Sequence, residues 1–215
     1  FLLQNDNWSG LVIDGSEEHI SAIRHHPLSW RYNLKADCAF IDRENINAVI
    51  LRNGFAGEIG LLSVDIDGND YWVWEAIDSI QPAIVVCEYN GLFGHRHAVT
   101  IPYDKKFHRA TAHPSMLYAG ASIAALDHLG QRKGYSLVGS NSAGNNAFFV
   151  RTDSLGGLRP MTPAEAFVRL QCRDSRDREG NLSFLSYEES QQAIADLPLY
   201  DVVGKRTISV RDLLA

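Results

Sequence analysis

Short apolar runs that end in acidic residues recur through the first half of the chain. They cover residues 10–14, 37–42 and 61–65, and a fourth run over 83–88 ends in Glu88. A continuous apolar run of this length, closed by a polar residue, is typical of a strand buried in a parallel sheet. The pattern therefore predicts several strands that carry acidic side chains at their carboxyl ends.

Segments with helical spacing of apolar residues separate these runs. Ser16 is a predicted N-cap, and apolar residues recur every three or four positions in 45–51, 73–80 and 122–129. Pro82 ends the predicted helix over 73–80, because the residue before a proline avoids helical geometry. Alternation of strands and helices predicts an α/β fold with a mostly parallel, Rossmann-like sheet.

The end of this alternating series has a different pattern. Residues 135–138 and 147–151 form two apolar runs joined by a short polar turn. This pattern predicts an antiparallel hairpin at the edge of the sheet.

Between the last parallel strand and this hairpin, residues 91–121 contain glycines, prolines and four of the eight histidines. A connection of that length is usually a lid or a binding loop.

The composition changes again after Asp153. A Gly-Gly-containing linker is followed by two capping boxes, one from Thr162 to Glu165 and one from Ser186 to Glu189. Each capping box predicts the start of a short helix. We therefore predict a Rossmann-like domain over 1–153 and a helical C-terminal extension over 154–215, which is a candidate surface for self-association.

Charge and cysteine content narrow the class of ligand. The 215 residues carry a net charge of −6, which provides no basic surface for nucleic acid or anionic lipid. No apolar run approaches the ~20 residues needed to cross a bilayer. Cys38, Cys87 and Cys172 are widely spaced, which favours reduced, buried thiols in a cytoplasmic protein. A small molecule is therefore the expected partner.

Acidic strand ends in neighbouring βα units are suited to a nucleoside. Ligands of open α/β sheets bind outside the carboxyl ends of the strands, where a carboxylate accepts hydrogen bonds from both ribose hydroxyls. Asp14, Asp42 and Asp65 end three predicted strands in this way. The glycine-rich turn that normally binds the rest of such a ligand is not found in the chain, so we expect it, with a first strand, upstream of Phe1.

Two segments at the centre of the chain resemble a known family. The sequence VDIDGND at 64–70, followed by IVVCEYN at 84–90, resembles the signature region of FkbM-type S-adenosylmethionine-dependent methyltransferases. KGYSLV at 133–138 and NNAFFVR at 145–151 are similar to the closing strands of the class I methyltransferase fold. The resemblance covers roughly residues 8–152. It implies S-adenosyl-L-methionine as cofactor and O-methylation of a small hydroxylated acceptor, such as a sugar or glycoconjugate.

The resemblance also implies a set of cofactor contacts, formed by Asp14, Gly15, Ile41, Asp42, Asp65 and Asp67. In this set Asp14 contacts the ribose, and Ile41 or Asp42 lies near the adenine. Asp65 and Asp67 lie by the methionine end of the cofactor and by the acceptor.

The same stretch is similar to metal-dependent catechol-type O-methyltransferases. That similarity implies Asp65, Glu88 and Asn90 as ligands of Mg²⁺, a hard cation that takes oxygen ligands and lowers the pKa of a bound hydroxyl. Glu88 and Asn90 could equally hydrogen-bond the following loop. If no metal is used, the acceptor needs a general base, and the candidates are His95 and His97, because the histidine pKa is close to neutral.

Two alternatives use the same residues differently. DIDGN also resembles the phosphotransfer motif of haloacid-dehalogenase-type phosphatases, in which Asp65 would be the nucleophile and Asp67 the acid/base. Asn69 then stands where that motif has a hydroxyl residue. The second alternative is a Rossmann-like module without catalytic activity, which binds a partner through its C-terminal extension.

Overall fold

The computed structural model describes residues 1–171 and 175–214. The strands are Gly10–Asp14 (β1), Leu34–Cys38 (β2), Gly57–Val64 (β3), Ile80–Glu88 (β4), Val99–Thr100 (β5), Tyr135–Ser140 (β6), Asn146–Arg151 (β7), Pro198–Asp201 (β8) and Arg206–Ser209 (β9). The helices are Leu2–Asn5 (α1), Glu17–His25 (α2), Pro27–Arg31 (α3), Ile46–Arg52 (α4), Asp70–Ala76 (α5), Arg109–Ala112 (α6), Ile123–Arg132 (α7), Pro163–Ala166 (α8) and Tyr187–Ala193 (α9). Short 3₁₀ turns cover Gly91–Phe93, Thr152–Ser154 and Val210–Leu213.

A two-stranded parallel sheet is formed by β1 and β2, with Gly10 opposite Leu34. The helices α2 and α3 connect the two strands, and the side chain of Ser16 accepts a hydrogen bond at the start of α2, as the sequence predicts. β2 ends at Cys38, so the predicted strand over 37–42 is wrong in its position. Asp42 belongs to the turn before α4 and does not end a strand.

The main sheet has four strands in the order β3-β4-β7-β6. β3 and β4 are parallel, whereas β7 is antiparallel to both β4 and β6. The predicted hairpin is therefore present, with β6 outermost. The prediction of a mostly parallel Rossmann-like sheet is wrong, because this sheet is mixed and the β1–β2 pair is separate from it.

Side chains from the start of the chain lie between the two sheets. Leu2, Leu3 and Trp8 line an apolar groove of about 360 Å³ whose walls include residues of β1 and β3. The Trp8 ring lies so close to Gly60 that a Cβ at that position would come within 2.3 Å of it. The start of the chain and this groove therefore lie between the β1–β2 pair and the main sheet.

The C-terminal segment is not purely helical. Both predicted capping boxes are present, with Thr162 and Glu165 starting α8 and Ser186 and Glu189 starting α9. However, β8 and β9 form a hairpin that pairs with β5, which belongs to the long connection over residues 91–121, here called the central loop. The prediction of a helical extension is therefore corrected to a mixed segment that adds strands to the preceding part of the chain.

Two apolar clusters hold these elements together. The larger one packs α5 and α7 against the main sheet, with Trp74 and Phe149 among its fully buried side chains and ring centroids 4.9 Å apart. The smaller one joins Phe93 and Ile101 of the central loop to Leu199 of β8. Burial of large aromatic and aliphatic side chains is the main stabilising contribution in such clusters.

No helix within residues 1–171 and 175–214 is long and apolar enough to cross a membrane. Cys38 and Cys87 are free thiols, and Cys87 is fully buried in the main sheet. Cys172, the third predicted thiol, lies outside the described residues.

Candidate ligand-binding site

The main cavity lies at the carboxyl ends of β1, β2 and β3 and has a volume of about 490 Å³. Part of its wall comes from the central loop, including Phe107 and Arg109. The residues at the strand ends that line it include Asp14, Phe40, Ile41, Asp65, Asp67 and Asn69. Its volume is in the range of cavities that bind small molecules and cofactors, which is roughly 300–1,000 Å³.

Asp14 presents a carboxylate to this cavity. One carboxylate oxygen accepts a hydrogen bond from the Ser16 backbone N–H at 2.7 Å, and the other lies 3.1 Å from Nδ1 of His19. The Ser16 N–H lowers the pKa of Asp14 more than burial raises it, and His19 adds to the lowering. The side chain is 38% exposed. Asp14 therefore presents a charged acceptor to a ligand.

The apolar wall next to Asp14 comes from the turn after β2. Ile41, a predicted contact, lines the cavity, as does Phe40, whose side chain is 53% exposed. Gly15 also lines it and lies against the Phe40 ring, 3.4 Å from the position of a Cβ. Phe40 was missed by the sequence reasoning, because it fell inside the predicted strand over 37–42, whereas β2 ends at Cys38 and leaves Phe40 exposed.

Asp42 does not line this cavity, contrary to its predicted contact with the adenine. Its carboxylate accepts hydrogen bonds from the backbone N–H groups of Glu44 and Asn45 at 2.9 and 2.7 Å, and it pairs with Lys105 at 3.0 Å. Burial raises the pKa of Asp42, but Lys105 and the two N–H groups outweigh it, so the pKa lies below its usual value. Asp42 holds the turn before α4 and anchors the central loop.

A tight turn after β3 brings acidic groups to the cavity. Asp67 adopts a left-handed backbone conformation, with φ of 57°, and its carboxylate pairs with Arg109 at 2.8 Å. Gly68 is required here, because a Cβ would come within 2.3 Å of the Phe107 ring. The buried Asp70 carboxylate closes the turn by accepting hydrogen bonds from the N–H groups of Ile66 and Gly68 at 2.8 and 2.9 Å.

Asp70 stabilises the turn after β3 and does not line the cavity. Burial raises its pKa to about 7, even though the N–H groups of Ile66 and Gly68 act in the opposite direction. A carboxyl group that accepts two backbone hydrogen bonds in this way is a structural element of the turn, and it fixes the direction in which the neighbouring acids point.

Glu88 lies in a second cavity of about 120 Å³, which also includes Asn90 and Gly120. Burial raises the pKa of Glu88 to about 9, with further contributions from the carboxylates of Asp70 and Asp65. Glu88 is therefore protonated at neutral pH. Its side chain is hydrogen-bonded to Asp65 of the main cavity, and burial likewise raises the pKa of Asp65.

Arg109 links the two cavities, since it lines both of them. Its Nε donates to the carbonyl oxygen of Met116 at 2.6 Å, and its Nη1 donates to Asp67 at 2.8 Å. These bonds fix the guanidinium at the boundary between the cavities. Arg109 was not found from the sequence, because it comes from the long central loop, whose path the residue pattern does not predict.

The residues proposed as Mg²⁺ ligands do not suit that ion. The Asn90 side chain is already hydrogen-bonded to backbone groups. Its Nδ2 donates to the carbonyl oxygens of Leu117 and Ala119, and its Oδ1 accepts from the Leu92 N–H. Burial raises the pKa of Glu88 to about 9, so a cation at this position would first have to displace its proton. Within residues 1–171 and 175–214, no three His, Cys, Asp or Glu side chains converge as a metal site.

His95 and His97, the predicted general bases, line neither cavity. The ring of His95 packs against Phe167, with centroids 5.1 Å apart. His97 is exposed, and its carbonyl oxygen accepts a hydrogen bond from the Ser122 hydroxyl at 2.7 Å. The structure therefore brings Asp14, Gly15, Ile41, Asp65 and Asp67 together at one cavity and leaves these two histidines outside it.

Comparison of the chain with models of known protein families, with curated proteins and with solved structures found no match.

Proposed function

We propose that this protein is a methyltransferase that uses S-adenosyl-L-methionine to methylate a hydroxyl group of a small acceptor, with a sugar or glycoconjugate as the first candidate. The observation that carries the proposal is the composition of the main cavity. An ionised carboxylate, Asp14, lies beside an apolar wall, Phe40 and Ile41, and two further acids, Asp65 and Asp67, line the same cavity. The resemblance of residues 64–70 and 84–90 to FkbM-type methyltransferases supports the same conclusion.

Each part of this cavity fits one part of the cofactor. The Asp14 carboxylate would accept hydrogen bonds from the ribose hydroxyls, and Phe40 and Ile41 would contact the adenine. The acids after β3 provide the negative potential that favours a ligand with a positive sulfonium and ammonium. When bound, the cofactor supplies an electrophilic methyl group, carried on a positively charged sulfur.

The acceptor hydroxyl must lose a proton as it is methylated, and Asp65 is our candidate for the group that takes it. Burial and the neighbouring Asp67 raise the pKa of Asp65, which makes its carboxylate a better proton acceptor near neutral pH. Glu88 is protonated and hydrogen-bonded to Asp65. The second cavity, lined by Glu88 and Arg109, would hold the acceptor next to this pair.

We expect the protein to act in the cytoplasm. The free thiols of Cys38 and Cys87 support this expectation, since disulfide-free cysteines are usual in a reducing compartment.

Calorimetric titration with S-adenosylhomocysteine tests the cofactor assignment. We expect micromolar binding to the wild-type protein and a loss of roughly 10- to 100-fold in Asp14→Ala, which corresponds to about 1–3 kcal/mol for a lost hydrogen bond to a charged group. The matched control is Asp37→Ala, because Asp37 lies on β2, pairs with Arg52 and lines neither cavity. It should bind as tightly as the wild type.

Absence of binding to the wild-type protein would refute the methyltransferase proposal. Phosphatase assays and partner capture would then test the phosphohydrolase and the non-catalytic module. Binding that is equal in wild type and Asp14→Ala would refute only the ribose assignment. If binding is established, transfer of a labelled methyl group to a panel of sugars, phenols and hydroxy acids identifies the acceptor class.

A further inference from the structure

The side chain of Asn145 has an unused hydrogen-bond donor at the second cavity, which Asn145 lines. Both backbone groups of Asn145 have partners, because its N–H donates to Oδ1 of Asn141 at 3.1 Å and its carbonyl oxygen accepts the Tyr89 N–H at 2.8 Å. Its Oδ1 accepts from Nδ2 of Asn141 at 2.8 Å, whereas its Nδ2 donates to no group within residues 1–171 and 175–214. Nδ2 is therefore the polar atom with which Asn145 can bind a ligand.

The orientation of this amide follows from that of its partner. Oδ1 of Asn141 accepts the backbone N–H groups of residues 144–146, each at 3.1 Å. Asn141 therefore presents Nδ2 to Asn145, which must accept through Oδ1, since two NH₂ groups that face each other have no acceptor between them. Nδ2 of Asn145 is not sealed inside the protein, because the fully buried side-chain atoms that lack a partner in the described residues are Oδ1 of Asn69 and Oγ of Ser79.

The turn that carries Asn145 is held in place by the segment after α8. The N–H of Gln171 donates to the carbonyl oxygen of Ala143 at 2.9 Å. Leu170 of the same segment lines the second cavity. The donor of Asn145 and the apolar side chain of Leu170 are therefore fixed at the same cavity before a ligand binds, which lowers the entropic cost of binding.

The size and charges of the second cavity limit the groups that it can bind. Its volume of about 120 Å³ is well below the ~300 Å³ at which cavities hold whole small molecules, so it has room for one substituent of the acceptor. An anion is disfavoured beside the carboxyl pair of Glu88 and Asp65. A cation is disfavoured by the guanidinium of Arg109 and by the N–H groups of Asn145. The cavity therefore favours a neutral group that accepts a hydrogen bond.

We propose that the second cavity binds the acetamido group of an N-acetylated sugar, and that Nδ2 of Asn145 donates a hydrogen bond to its carbonyl oxygen. Leu117 and Leu170, which line the cavity, would contact its methyl group. Among the common substituents of sugars, the acetamido group combines a neutral carbonyl with a short apolar part. This inference rests on the proposed function and narrows its acceptor. It makes Asn145, which the family resemblance does not imply, a residue that determines specificity.

The test compares acceptors that differ by one group. Transfer of a labelled methyl group from S-adenosyl-L-methionine is measured with the methyl glycosides of N-acetylglucosamine and N-acetylgalactosamine, and with their 2-deoxy counterparts, which lack the acetamido group. We expect the wild type to have a kcat/KM about tenfold higher for an N-acetylated sugar than for its counterpart, as for one buried hydrogen bond. Asn145→Asp keeps the oxygen that accepts from Asn141 and replaces the donor by a second oxygen. In this variant the preference should fall to about twofold or less.

Ser142→Asp is the matched control, because it adds the same charge to an exposed position of the same turn and lines neither cavity. It should keep the preference of the wild type. Asn145→Ala removes the donor without adding a charge, and it keeps the inference testable if Asn145→Asp does not fold. The inference would be overturned by folded Asn145 variants that keep the preference, or by a wild type that binds S-adenosylhomocysteine but shows no transfer to, or no preference for, either N-acetylated sugar. Failure of the wild type to bind S-adenosylhomocysteine would instead refute the proposed function.

Discussion

Two acidic side chains, Asp14 at the end of β1 and Glu88 at the end of β4, follow similar apolar strands but differ in chemistry. Asp14 is partly exposed and accepts a backbone N–H, and its pKa is lowered. Glu88 is partly buried near other carboxyl groups, and its pKa rises to about 9. An acid that follows an apolar strand therefore lies at a predictable place, whereas solvent and neighbouring charges decide its protonation.

The largest effect is expected from removing the carboxyl that closes the buried turn. Asp70→Ala should lower the free energy of unfolding by about 3 kcal/mol, because two buried N–H groups, of Ile66 and Gly68, lose their acceptor. Urea unfolding at pH 6 measures this. The control is Asp78→Ala, an exposed acid just after α5, which should change stability by less than about 0.5 kcal/mol. Similar values for both variants would contradict the structural role of Asp70.

A second test uses the pH dependence of stability. Glu88 has a folded pKa of about 9 against an ordinary value of 4.5, so the folded state holds a proton that the unfolded state has lost between these limits. Stability should therefore fall as pH rises through this range, by up to about 1.4 kcal/mol per pH unit. Glu88→Gln should flatten this slope between pH 7 and 9, as measured by denaturation at each pH.

Asp14 should change stability with pH in the opposite direction, and the same denaturation experiment measures it. Its folded pKa lies below the ordinary value of 3.8, so the stability it contributes is present above pH 3.8 and is lost as pH falls through the folded pKa. Asp14→Asn should change the pH dependence of stability only in this acidic range.

A wild-type profile that is flat from pH 7 to 9 would show that Glu88 is ionised in the folded state and would remove the contrast between the two acids.

A smaller effect is expected at Asp42, where a buried carboxylate keeps its charge by pairing. Lys105→Met should lower the melting temperature slightly, since Asp42 loses its counter-ion but keeps two backbone hydrogen bonds and Lys105 is 62% exposed. The neighbouring exposed lysine provides the control, Lys106→Met, which removes the same charge. Equal melting temperatures for the two variants would mean that the Asp42 pair contributes nothing measurable.

The smallest effect concerns the apolar side of the Asp14 site. Phe40→Ala should weaken binding of S-adenosylhomocysteine about threefold, a typical loss when one partly exposed aromatic contact is removed, without changing the urea midpoint. Trp30→Ala is the matched control, because Trp30 is an exposed aromatic residue that does not line the main cavity. Unchanged affinity in Phe40→Ala would mean that Phe40 does not contact the ligand.

Local features of the fold could be predicted from the sequence. β1 and the capping boxes at Thr162 and Ser186 follow from short-range patterns, since each depends on residues within a few positions of one another. Strand partners could not be predicted in the same way. The pairing of β5 with β8 joins segments about a hundred residues apart, and an apolar run does not specify its neighbour.

The candidate site likewise contains residues that local sequence patterns predict and residues that they do not. Asp14, Asp65 and Asp67 follow strands, so their convergence could be anticipated from the pattern. Arg109 reaches the site through the central loop, and its contribution depends on how that loop folds back over the strand ends. The unused donor of Asn145 is a property of hydrogen-bond geometry, which no sequence pattern records.

The contact between Trp8 and Gly60 limits how this protein can change through evolution. Any side chain at position 60 would overlap the indole ring, because even a Cβ would lie 2.3 Å from it. A larger residue at position 60 is therefore compatible with this packing only after position 8 has become smaller. Among descendants of this chain, a residue other than glycine at position 60 should therefore be found only together with a smaller residue at position 8.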